Sequence, residues 1–154
     1  MKKILMSLVL CITLLGGLVG CTSNPPNNSE NNIISYVDPT TGEVSSTTEY
    51  NFKLGVNQLL TTACAEIYKL DLDTSDQEYA NCYVYLIAYQ DILAGVEMED
   101  ENFKEAVLDV IDDLIAIWNM KVDAKEKGSS KLIKKANKAY EIVDEKVTDI
   151  INNY

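Results

Sequence analysis

Apolar and polar positions divide the chain into an N-terminal apolar run, a polar stretch and four segments of helical period. Ile4 to Val19 is apolar apart from Ser7, Thr13, Gly16 and Gly17, and Lys2 and Lys3 precede it. A positive start followed by an apolar run is the layout of a secretory signal, whose core inserts while the lysines stay behind. Residues 22 to 32 are only Asn, Pro, Ser, Thr and Glu. Nothing there can enter a core, so the stretch reads as a solvated tether with a reach of about 20 Å as a flexible coil.

Beyond residue 45 the apolar positions recur in steps of three and four, which predicts helices. The first carries Val56, Leu60, Ala63, Ile67 and Leu70, with Ser46 and Glu49 at capping-box spacing. A second is opened by Ser75 and Glu78, presents Tyr79, Cys82, Leu86, Tyr89 and Leu93, and stops at Gly95. Asn102 with Glu105 starts a third bearing Phe103, Val107, Val110, Leu114 and Ile117, widened by Ile111, Ile115, Trp118 and Val122 and ended by Gly128. Ser129 or Ser130 starts a fourth, with Leu132, Ala136, Ala139, Val143, Val147 and Ile150 inward. The expected fold is all-α: a four-helix antiparallel bundle, up-down-up-down, forming one domain over residues 46–154. Residues 33–45 allow two readings. A small hairpin could turn at Asp38-Pro39 with Gly42 at positive φ, or the segment could extend the tether to residue 45.

The apolar run ends Leu18-Val19-Gly20-Cys21. These residues resemble a lipobox, the processing signal of bacterial lipoproteins. The resemblance covers the first 21 residues and implies removal of residues 1–20, diacylglycerol on Cys21, and acylation of the new N-terminus. An uncleaved anchor is the alternative, but the run is short for a span and holds two glycines. In both cases the remainder lies outside the cytoplasm, attached to the cell membrane. Past Cys21 the chain resembles no family.

Processing removes two lysines and no acid, so the formal charge moves from -11 to -13. Such a domain is repelled by nucleic acid and by anionic lipid. All thirteen basic residues are lysines and there is no histidine. The usual general base near neutral pH, the commonest metal ligand and the bidentate phosphate clamp are therefore missing, and no cofactor is implied.

Once Cys21 is lipidated and Cys11 is lost with the signal, Cys64 and Cys82 remain in a compartment where disulfides persist. Both fall about 9 Å from the first interhelical turn, at 1.5 Å per residue. A Cys64–Cys82 disulfide is expected, stabilising by roughly 3 kcal/mol in the chain-entropy view. No Cys-x-x-Cys motif or basic neighbour argues for a redox pair.

The acidic stretches read as scaffolding. Asp71 to Asp76 resembles the start of a calcium loop, but Asp76 and Cys82 stand where glycine and glutamate are needed. Glu97, Glu99, Asp100 and Glu101 suit a helix N-terminus. Glu105, Asp109, Asp112 and Asp113 form a solvated face. Lys125, Lys127, Lys131, Lys134, Lys135 and Lys138 surround the third turn, where pairing with the acidic first turn accounts for them. The second helix stands out, because Tyr79, Tyr83, Tyr85 and Tyr89 leave it apolar on most sides. That ladder is either central core or a partly exposed binding face, tyrosine being favoured at interfaces.

The function expected is a non-catalytic binding or adaptor module, held on the membrane by lipid and presenting a helical surface to an envelope or extracellular protein or peptide. The alternative is a self-protection lipoprotein that excludes phage DNA or neutralises a toxin. A carboxylate enzyme would need two acids converging in a cleft.

Overall fold

A computed structural model describes residues 32–37 and 42–154. The expected signal peptide, the lipidated Cys21, most of the tether and the Asp38-Pro39 turn lie outside the described residues.

The first element among the described residues is an antiparallel hairpin of β1 (Ile33–Val37) and β2 (Val44–Thr48), with Ile33 opposite Thr48 and Val37 opposite Val44. Gly42, at φ 72°, takes the left-handed conformation that glycine adopts without strain. Two strands alone are marginal in water. Here Ile34 and Tyr36 are buried, and the Tyr36 ring packs 5.7 Å from that of Phe52. The hairpin therefore belongs to the domain, and the expected tether boundary after residue 45 falls inside β2.

Four helices follow: α1 (Glu49–Lys69), α2 (Asp76–Gly95), α3 (Glu101–Glu126) and α4 (Ser130–Asn153). Their starts show how local chemistry sets boundaries. Ser75 and Glu78 form a full capping box, each side chain accepting from the other's backbone N–H at 3.2 and 3.0 Å. Ser129 caps α4. Two starts differ from expectation. Thr48 caps α1, because Ser46 is committed to strand pairing, and Asp100 rather than Asn102 caps α3, accepting from Phe103 N–H at 3.0 Å. Gly128, at φ 58°, closes α3: its N–H reaches the Lys125 carbonyl at 3.0 Å, and Ser129 N–H reaches that of Ala124 at 2.9 Å.

Most residues expected to face inward are buried, with Ile115, Trp118, Val122, Leu132 and Ala139 only partly so; Ile133 and Tyr140 complete the inner face of α4. Lys146 on α4 sits between Asp109 and Asp113 of α3 at 2.8 and 2.7 Å, and the two carboxylates hold its ammonium well above the ordinary lysine range. Among the described residues no helix is long and apolar enough to cross a membrane.

The expected disulfide is not formed. Cys64 and Cys82 are both free and buried. Positions 64 and 66 lie about 200° apart around a helix. Cys64 turns towards Tyr140 and Asp144 on α4, whereas Cys82 shares a groove with Thr62, Glu66 and Lys69, on the other side of α1. Equal distance from a turn does not place two side chains on facing flanks. Burial, then nearby Asp144, pushes the Cys64 thiol up to about 11, and burial with Glu66 pushes Cys82 up to about 12.

Candidate functional site

The helical period splits the four tyrosines of α2. Tyr79 and Tyr89 are core residues, and the Tyr79 hydroxyl lies 3.3 Å from the Asp71 carbonyl and 3.4 Å from that of Lys121. Tyr85 is partly buried and meets Tyr89 edge-on at 4.4 Å. Tyr83 alone keeps substantial exposure, at 37%.

Tyr83 does not stand free. Its ring lies 4.6 Å from that of Trp118 on α3, inclined by 32°. The indole N–H donates to the Tyr79 carbonyl at 2.9 Å, which fixes the tryptophan plane against α2. Around the pair lies an open cleft of about 550 Å³, with Ala80, Val84 and Val122 as apolar walls and Asp76, Lys125 and Glu126 at its rim. Lys125 crosses from α3, donates to the Thr74 carbonyl, pairs with Asp76 at 2.6 Å and stands 4.9 Å over the Tyr79 ring. Its hydrogen bond and charge hold the Asp76 carboxyl below its usual range. An ionised, paired carboxylate is a poor proton shuttle at neutral pH. What the cleft offers is flat, rigid stacking area beside one compensated ion pair.

No feature of the chain signals this pairing. Trp118 reads as part of the α3 core stripe, and nothing in a single chain's period says which residue of another helix it meets.

Two buried charges also escape the pattern. Glu49, in the first turn of α1, accepts from the backbone N–H groups of Glu99 and Asp100, both at 3.0 Å, and from the Asn32 side chain at 2.6 Å. Burial alone raises its carboxyl, but these bonds and Lys53 outweigh that and bring it below the ordinary value. Lys121 is fully buried, and its ammonium donates to the carbonyls of Tyr68 and Leu70 at 3.0 and 2.8 Å, closing the C-terminus of α1. Burial lowers its pKa, opposed by Asp71 and Cys82.

Charge is unevenly shared along the domain. Glu49 joins the starts of α1 and α3, and the Phe103 ring meets that of Tyr154 edge-on at the same end. Lys125 and Lys121 join the opposite ends of the same helices. In the hairpin half, residues 42–60, 88–114 and 140–154 hold fifteen acidic side chains and three lysines; in the far half, residues 61–87 and 115–139 hold seven and eight. Only part of the expected pairing around the α3–α4 turn occurs. Lys125 reaches Asp76 and Lys127 reaches Asp123 of its own helix, while Lys131, Lys134, Lys135 and Lys138 make no ion pair among the described residues.

The acidic loop after α1 is tied by turn chemistry: Thr74 Oγ1 accepts from Asp71 N–H at 2.9 Å, and Thr74 N–H returns to the Asp71 carbonyl at 3.1 Å. Among the described residues no three acidic or cysteine side chains gather as a metal site would require.

Compared with protein-family models, with curated proteins and with solved structures, the chain matches none.

Proposed function

We propose that this is a lipid-anchored, extracytoplasmic binding module without catalytic activity, which recognises a protein or peptide through the Tyr83–Trp118 cleft. The observation that carries the reading is the aromatic pair, held by the Tyr79 carbonyl yet open to solvent. Buried aromatic anchors flanked by apolar walls are the commonest hot spots of protein interfaces, because a rigid ring loses little conformational freedom on binding. We read the helices as alternating in direction, up-down-up-down, which puts the cleft in the half away from the hairpin. With the anchor at Cys21, the cleft then points outward, where an envelope or extracellular partner would meet it.

The test is photo-crosslinking in the native envelope, with a photoreactive amino acid at Ala80 in the cleft or at Glu141 as a remote control. The reading expects a discrete adduct from position 80 that disappears with Tyr83→Ala. If both positions give the same diffuse adducts, with or without Tyr83, the cleft is not a recognition site.

A further inference from the structure

We propose that the outward face of the β1–β2 hairpin is where the domain rests on the lipid bilayer. The inference depends on the anchoring at Cys21 proposed above. Side chains alternate along a strand, so Ile33 and Val37 lie on the face opposite Ile34 and Tyr36, and Val44 joins them as the partner of Val37. These three are 61%, 56% and 72% exposed. Between them lie Ser35 and Ser46, uncharged residues whose hydroxyls bond each other at 3.0 Å. Neither strand contains a charged residue, in a chain of which 24% is charged. An exposed apolar face on a sheet with open edges is a liability in water unless something covers it.

The path of the chain says what covers it. Asn32, directly before β1, is clamped to the domain: its carbonyl accepts from Glu49 N–H at 2.8 Å and its side chain donates to the Glu49 carboxylate. Residues 22–32 are therefore all that separates Cys21 from this hairpin, at most about 40 Å of chain. An anchored bilayer is permanently at high effective concentration beside this face, which a soluble partner is not. Glu43, next to Val44, and Glu97 and Glu99, which border a cleft with Ile33 and Ser35, limit the contact to the headgroup level and favour zwitterionic over anionic lipid.

The experiment uses the processed, acylated protein beginning at Cys21 in phosphatidylcholine vesicles, carrying a nitroxide at Val44→Cys or, at the far end, Lys134→Cys. The buried native thiols leave the introduced cysteine as the reactive one. Position 44 should be several-fold more accessible to dissolved oxygen than to a water-soluble nickel chelate, relative to position 134, and Val37→Asp should abolish the difference. Equal, aqueous behaviour at both positions in protein whose mass shows an acylated Cys21 would overturn this inference and leave the anchor intact. A mass without acyl groups would remove the anchor, and the inference with it. Two other results also count against it: spin–spin broadening at position 44 that vanishes on dilution points to a second copy as the occupant, and preferential burial of position 134 in phosphatidylglycerol vesicles points to the lysine end.

Discussion

The Lys121 ammonium lies 2.8 Å from the Leu70 carbonyl oxygen and bonds no carboxylate among the described residues, so a buried cation on α3 serves as the C-terminal cap of α1. A cation suits this place because the last carbonyls of a helix carry partial negative charge and have no intrahelical partner. Lys121→Met keeps the length and apolar stem but strips the donor from the carbonyls of Tyr68 and Leu70. We expect it to lower stability by about 3 kcal/mol, read from the urea midpoint at unchanged slope. An unchanged midpoint would mean that water reaches those carbonyls.

The Glu49 cluster should set the acid limit of the fold. Glu49 and Asp100 both have carboxyls lowered in the folded state, so the unfolded chain takes up protons first as the pH falls. Their contribution is complete above their ordinary values, 4.5 and 3.8, and is lost as the pH drops through the lower folded values. Urea midpoints should be flat between pH 5 and 7 and fall below about 4.5. Glu49→Gln should remove about 2 kcal/mol at pH 7 and flatten the acid slope. The same acid slope in wild type and variant would show that other carboxylates set the limit.

Both thiols should be silent in the native protein. With Cys64 raised to about 11 and Cys82 to about 12, almost no thiolate is present at pH 8. Iodoacetamide should therefore modify neither cysteine without denaturant and both in 8 M urea. Migration in gels and melting temperature should not depend on reductant. Rapid labelling of either residue under native conditions would contradict its burial.

Gly128→Ala should cost about 1 kcal/mol, because φ 58° is strained for any residue with a Cβ although no neighbour crowds the site. Gly95→Ala, also uncrowded but without a positive φ, should be neutral or slightly stabilising. Thermal denaturation of the pair separates backbone strain from loss of space: equal melting temperatures would refute the strain argument.

The inner faces of α1 to α4 were legible in the chain because period 3.6 is a local property, and residues such as Ile67, Leu86 and Leu114 have no other reason for their spacing. The Ser75–Glu78 and Gly128 boundaries were legible for the same reason. Pairings between elements were not. Rotation about α1 decides that Cys64 faces Tyr140 instead of Cys82, and no spacing within one helix encodes the rotation of its neighbour. Ser46-x-x-Glu49 satisfies a capping rule, but strand pairing claims Ser46 first and the cap passes to Thr48. Lys121 and Glu49 resemble surface residues in composition, and only the ends of other helices turn them into interior ones. The Tyr83–Trp118 contact belongs to the same class, joining residues 35 positions apart on two helices.

The separation of acids from lysines along the domain has a consequence for crowding. Copies anchored side by side on one membrane would turn their acidic halves towards one another, and that repulsion acts across roughly 8 Å at physiological ionic strength. If the chain is anchored as proposed, such copies would keep their distance and stay spread over the surface. Added salt or divalent cations, by shortening that range, would let them gather.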